Sequence, residues 1–244
     1  MLVDGTPVSA PAAVETLLPV RAAEPDKFNS SLSAFAARAM FGGFDRDQLV
    51  AEVAAQIRKI QAAGLQVTHL DSHKHAHIFP EILSALLRAA RICGVRAIRN
   101  PIVPVKVLPV KQFKGKRELL KRYGQVRVLH TFSKHFLQQT RRAGLLTPDG
   151  VIGVIETGSA ENNGYGSLLR QMLASLPAGT WEWVCHPGYH DADLDAAGTR
   201  LRASRQDELR LLTSPELRAF LDEQKIQLIG YREFIETASQ TAVH

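Results

Sequence analysis

The sequence predicts an α/β fold that carries its chemistry at the ends of parallel strands, and three observations predict it. Helical and strand-like patterns alternate after residue 45. A histidine cluster, Thr68-His69-Leu70-Asp71-Ser72-His73-Lys74-His75-Ala76-His77, follows one strand pattern and precedes a helix pattern. A further histidine, His186, ends another strand pattern, Trp181-Glu182-Trp183-Val184-Cys185. In a parallel α/β barrel the C-terminal strand ends share one rim. His186 is therefore expected to face the histidine loop despite its distance in sequence.

The elements follow in order. Phe44 to Ala63 reads as an amphipathic helix, with apolar Leu49, Val50, Val53, Ile57 and Ile60, Asp45 as its N-cap and Gly64 ending it. Leu65 to Leu70 is the strand before the histidines. Phe79-Pro80-Glu81 opens a second helix, because proline suits a first turn, and that helix runs to Gly94. Val95 to Arg99 is a short strand ended by Asn100-Pro101. Pro101, Pro104 and Pro109 keep the next stretch extended. Lys116 to Arg142 is mostly helical in pattern, with a break near Gly124. Val151 to Ile155 is an apolar strand, and Gly164-Tyr165-Gly166 leads into another helix. After Trp181–Cys185 come helices over Arg205–Leu212 and Ser214–Gln224, the second capped by Ser214 with Pro215 at its first position. Ile226 to Ile229 reads as the last strand and Ala238–His244 as a frayed tail.

Composition bounds the function. The chain has 244 residues, 45% of them hydrophobic, enough for one sizeable core. It holds no apolar run long enough for a membrane span, and its first residues lack the pattern of a signal peptide. Two cysteines, Cys93 and Cys185, stand far apart in apolar surroundings, which fits buried packing in a reducing compartment. The net charge of +6 is uneven: Lys106–Arg142 carries eleven Lys or Arg and one acid, Glu118. That stretch reads either as a solvated helical face or as a surface attracted to anions, lipid headgroups before nucleic acid, since no nucleic-acid motif accompanies it.

The histidine cluster is the sharpest signal. Four of the nine histidines fall between His69 and His77, and His73, His75 and His77 alternate. On an extended strand alternate side chains share a face, so three imidazoles can converge on one ion, and imidazole is a common ligand of catalytic metals. The plainer alternative is a solvated histidine-rich loop.

The same residues resemble a known family. The cluster Thr68 to His77 resembles the hallmark of the YdjC-like carbohydrate deacetylases of the ChbG/HpnK type. Cys185-His186-Pro187-Gly188-Tyr189, with Glu182 ahead of it, looks like the family's second signature. Arg205 with Glu208-Leu209 and Leu212, then Gly230-Tyr231-Arg232, resembles its C-terminal part. Leu2 to Val8 resembles a segment that follows a family Gly-x-His-x motif.

The resemblance implies a distorted (β/α) TIM-like barrel in one domain over residues 1–244, and removal of N-acetyl groups from an amino sugar or glycolipid, with a hopanoid-linked sugar as one possibility. It implies a divalent metal, magnesium or zinc first among several that the donor types admit. In the family the metal is held by an aspartate from an Asn-Ala-Asp-Asp-Phe-Gly motif, a histidine from Gly-x-His-x and the first histidine of Asp-Ser-His. Only the last maps here, onto His73. The other two would lie ahead of Met1, so the expectation is an incomplete barrel missing its first strands, which holds metal weakly and shows little or no turnover.

Roles follow from the resemblance and from chemistry. Asp71 is expected to orient an imidazole or to cap the loop. His186 is expected to give a proton to the leaving amine, or else to be a buried histidine bonded to backbone. His75, His77, Arg99, Glu182, Tyr189 and Arg205 are expected around the substrate, Arg99 bonding a sugar hydroxyl or pairing with a carboxylate. The expected partner is a carbohydrate or glycolipid, with no nucleic acid, a peripheral membrane contact through Lys106–Arg142 and a homo-oligomer as further possibilities, in a cytoplasmic protein. The competing reading is an inactive fragment or a non-catalytic sugar-binding protein that keeps the pocket.

Overall fold

A computed structural model of the chain describes residues 2, 5–19, 26–28, 31–104, 124, 127, 130–153, 165–197, 199 and 201–241. Along the chain these form α1 (Leu32–Met40), α2 (Arg46–Ala62), β1 (His69–Leu70), α3 (Pro80–Cys93), β2 (Ala97–Ile98), α4 (Ser133–Arg142), β3 (Gly150–Ile152), α5 (Tyr165–Ala174), β4 (Trp181–Trp183), α6 (Ala192–Ala196), α7 (Ala203–Leu212), α8 (Pro215–Glu223) and α9 (Tyr231–Thr241). They fall into two compact units.

The first unit spans Met1–Pro101, Thr131–Thr147 and Gly230–His244. Its central helices are α2 and α3, which pack on each other. Asp45 caps α2 as expected, its Oδ1 accepting from the backbone N–H groups of Asp47 and Gln48 at 2.9 Å. Leu49, Val50, Val53, Ala54 and Ile57 make the buried face. Against it α3 sets Ile82, Leu83, Leu86 and Ala90, a 3.6-residue stripe. Gly94, at φ 71°, ends α3 in the left-handed conformation that glycine adopts without penalty. The strands β1 and β2 pair in parallel, His69 with Ala97 and Leu70 with Ile98. Leu146 extends that pairing, accepting from Ile98 N–H and donating to Arg96 O at 2.9 Å each. α9 is pinned by Tyr231, whose ring stacks on His69 at 3.6 Å.

A buried carboxylate fastens the chain's beginning to this unit. Glu52 on α2 is fully buried and accepts from Val8 N–H at 2.8 Å, Ser9 N–H at 2.9 Å and Gln56 Nε2 at 2.7 Å. Burial pushes its carboxyl up, but the bonds from Ser9, Gln56 and Val8 outweigh it and hold it below the usual carboxylate range. A depressed carboxyl stabilises above its unfolded value and loses that stability as pH falls. Glu52→Gln is expected to cost about 2 kcal/mol in urea unfolding at neutral pH. It should also remove part of the stability that the native chain loses below about pH 4.5.

The second unit spans Ile102–His130 and Pro148–Ile229. β3 and β4 pair in parallel from Gly150 with Trp181 to Ile152 with Trp183. Val151 and Ile152 join Leu168, Leu169, Met172 and Leu173 of α5 and Leu217 and Leu221 of α8 in one core. Gly153, at φ 88°, passes so close to β4 that a Cβ would stand 2.2 Å from Val184 O, which excludes every other residue there. Ser214 caps α8, accepting from Leu217 N–H at 3.2 Å.

Several expectations change. The fold is mixed α/β with more helix than sheet. The sheets among the described residues are two separate parallel pairs, which do not by themselves close a barrel. The strands are shorter than their sequence patterns, because only residues with a pairing partner extend. Ile226–Ile229 is not a strand: Leu228 is 61% and Ile229 43% exposed, without a ladder neighbour among the described residues. Residues 238 to 241, expected to fray, complete α9. Cys93 and Cys185 are half-buried thiols, short of the burial expected. No helix among the described residues is long and apolar enough to cross a membrane. Most of the basic stretch from Lys106, the strand end at 154–155 and the tail at 242–244 lie outside the described residues.

Candidate functional site

The parallel register of β1 and β2 sets up the first cluster. His69 stands beside Ala97 and Leu70 beside Ile98, and Arg99 N–H donates to Leu70 O at 2.9 Å. The next pair, Asp71 and Arg99, therefore leaves the two strand ends side by side. Their side chains form an ion pair, Arg99 Nη1 on Asp71 Oδ2. Of the alternatives open for Arg99, the structure makes the carboxylate pairing.

Beyond Asp71 the chain does not stay extended. Residues His73–Ile78 wind as a 3-10 turn, with Lys74 and His75 both at φ 55°. Left-handed backbone at two non-glycine residues is unfavourable, and the turn is held by specific bonds. His75 N–H donates to Ser72 O at 3.0 Å. Ser72 Oγ accepts from His77 N–H at 2.9 Å and meets His77 Nδ1 at 2.6 Å. His77 Nε2 lies 3.1 Å from Arg99 O. A carbonyl only accepts, so Nε2 carries the proton and Nδ1 accepts from the Ser72 hydroxyl. This assignment gives every group in the ring a partner.

Two expectations are corrected by this geometry. The alternation of His73, His75 and His77 does not place three imidazoles on one face, because the backbone carrying them is a turn with left-handed residues. His77 does not line a pocket: it is fully buried, packs beside Phe136, and has both ring nitrogens engaged. Burial holds its imidazole far below the ordinary value, to about 3, with the nearby His75 adding to the effect. His77 is thus a neutral clasp between the turn and the Arg99 backbone. His73 at the head of the turn is exposed, and His75 is half-buried, with Nδ1 3.9 Å from Asp71 Oδ1. Asp71 Oδ1 is 3.8 Å from His77 Nδ1, too far for a hydrogen bond. Its close partner is Arg99.

The second cluster belongs to the other unit. β4 ends at Trp183, and the chain leads through Cys185 to His186 and Tyr189. α7 fastens this loop twice. Buried Glu208 accepts from His186 N–H at 2.5 Å, and Arg205 O accepts from Gly188 N–H at 3.2 Å. Arg205 turns its own Nε to Leu201 O at 3.0 Å. His186 and Glu182 are half-buried, while Tyr189 is 74% exposed. Glu208 is the residue whose role sequence reasoning missed. It was visible only as an acid three positions after Arg205 on a helix, and nothing local showed that it reaches back to His186.

The metal test follows from the donors. Among the described residues no group of three or more His, Cys, Asp or Glu side chains is gathered as a metal site requires. His77 is spent on hydrogen bonds and Asp71 on Arg99. The described residues therefore do not complete a metal site; His73, at the head of the turn, is exposed.

Comparison with known proteins adds a family. The model of the YdjC-like proteins matches residues 1–223. A carbohydrate deacetylase of Geobacillus stearothermophilus is 30% identical over 192 residues, 79% of this chain and 62% of that protein. One of Brevibacillus brevis is 29% identical over 189 residues, 77% of this chain and 61% of that protein. One of Thermoanaerobacter pseudethanolicus is 27% identical over 228 residues, 93% of this chain and 72% of its own length. The chain thus spans under two thirds of the first two. A crystal structure of an Enterococcus faecalis protein assigned to cellobiose-phosphate cleavage superposes with a TM-score of 0.67 at 18% identity, over 96% of this chain and 75% of that one. At that identity the likeness is one of fold.

Proposed function

The chain belongs to the YdjC-like proteins, and from that premise we propose that it acts in the hydrolytic deacetylation of an N-acetylated carbohydrate. The relatives named carbohydrate deacetylase support the reaction class. The observation that supports it on this chain is the strand-end turn of the first unit, with Asp71 held by Arg99 and His73 exposed two residues on; within the second unit, His186 is held by Glu208.

In this reading a divalent metal is required, and His73 is the ligand that this chain offers it. The described residues leave that metal's ligand set incomplete. The chain's own residues have narrower tasks. Asp71, fixed by its ion pair with the Arg99 guanidinium, places a carboxylate at the head of the turn. Arg99 is spent on that carboxylate and holds the two strand ends together. His186 gives a proton to the departing amine nitrogen, since imidazole exchanges protons near neutral pH. Glu208 is a positioning residue: it fixes the His186 backbone.

The incomplete ligand set favours one other reading, a carbohydrate-binding protein without turnover. Incubation with N-acetylglucosamine oligosaccharides separates the two. Released acetate together with a new free amine supports hydrolysis, whereas saturable sugar binding without acetate supports the binder.

A further inference from the structure

A cavity of about 570 Å³ lies in the first unit between the end of α1, α3 and α4. None of its lining residues belongs to the histidine turn. Its size falls within the range of small-molecule sites, roughly 300–1,000 Å³, and exceeds what a bare inorganic anion fills.

Its charge is lopsided. Arg46, Arg88, Arg91 and Arg142 line it, with Glu81 the only acid among the lining residues. Arg88 also pairs with exposed Asp47 at 3.0 Å, which leaves an excess of positive charge. Guanidinium groups present paired N–H donors that match phosphate oxygens. Met40, 48% exposed, adds apolar surface suited to the carbon face of a small polyol.

Glu81 is the unusual member. It stands in the first turn of α3 with its side chain only 9% exposed. Its Oε2 is buried with no hydrogen-bond partner among the described residues, and Oε1 is 3.9 Å from Arg46 Nε, beyond hydrogen-bonding range. Burial pushes its carboxyl up, against the pull of Arg46. A buried acceptor without a donor is costly, and its usual explanation is a ligand or water that supplies one.

We infer that this cavity binds a small phosphate monoester of a polyol, with the phosphate on the arginines and a hydroxyl donating to Glu81. The inference uses no part of the deacetylation reading, so either can fail alone.

Calorimetric titration of the full chain with glucose 6-phosphate, inorganic phosphate and glucose tests it. Glucose 6-phosphate should bind saturably and about tenfold or more tighter than inorganic phosphate, with glucose silent in the same range. Binding should weaken as salt is raised, because the arginines are exposed. The Arg88→Ala, Arg142→Ala double variant should lose at least about tenfold. Arg142→Gln, a single change at an exposed side chain, should show a smaller loss in the same direction with an unchanged melting curve. Glu81→Gln should narrow the gap between the sugar ester and inorganic phosphate. No saturable binding of glucose 6-phosphate, or binding indifferent to the arginine changes, overturns the site. Inorganic phosphate binding as tightly as the ester overturns the polyol class.

Discussion

His186→Ala is expected to lower deacetylation turnover roughly a hundredfold, while metal binding persists. Loss of a general acid commonly costs 10²–10⁴ in rate, and His186 is the histidine that Glu208 fixes at a strand end. Glu208→Gln should fall between the native chain and His186→Ala, chiefly in kcat, because it loosens the backbone of His186 and leaves the imidazole in place. The split between kcat and KM distinguishes proton donation from a structural role: His186→Ala should lower kcat with KM little changed. An unchanged rate in His186→Ala would remove His186 from the mechanism. Loss of bound metal would make it a ligand instead.

His77→Ala is expected to be the most damaging change to stability in the first cluster, about 3 kcal/mol in urea unfolding. It leaves a cavity beside Phe136 and strips partners from Ser72 and the Arg99 carbonyl. The buried imidazole also predicts a pH signature. Its folded value, about 3, lies below its ordinary 6.5. Between these values the unfolded chain binds the proton and the folded chain does not, so stability is full above about pH 6.5 and falls as pH drops toward 3. The slope is about 1.4 kcal/mol per pH unit for this group. His77→Gln, which keeps a donor for the Arg99 carbonyl, should flatten that slope. A native-like slope in His77→Gln would show that some other group titrates.

What could be read in the sequence is what is decided locally. Asp45 before α2, Pro80 and Gly94 around α3, and Ser214-Pro215 before α8 each fix a helix end through bonds within a few residues. Strands were harder, since a strand exists only where a distant partner accepts its hydrogen bonds. Ile226–Ile229 has the right composition and no such partner among the described residues, whereas β1 has β2. The histidine cluster is legible in the sequence, but its shape is not. A period of two suggested a strand, yet the Ser72 hydroxyl closes a turn on His77, and that turn forces Lys74 and His75 into left-handed backbone. The pairing of Asp71 with Arg99 depends on strand register, and the bond from His186 to Glu208 on the packing of α7. Neither is written in local spacing.

The most direct test of the account is acetate release from N-acetylglucosamine oligosaccharides by this chain, measured with added divalent metal, after chelation, and in His73→Ala. The account predicts release that is slow, appears only with metal and disappears in His73→Ala. Sugar binding with no acetate at any metal concentration, or release that survives both chelation and His73→Ala, would contradict it.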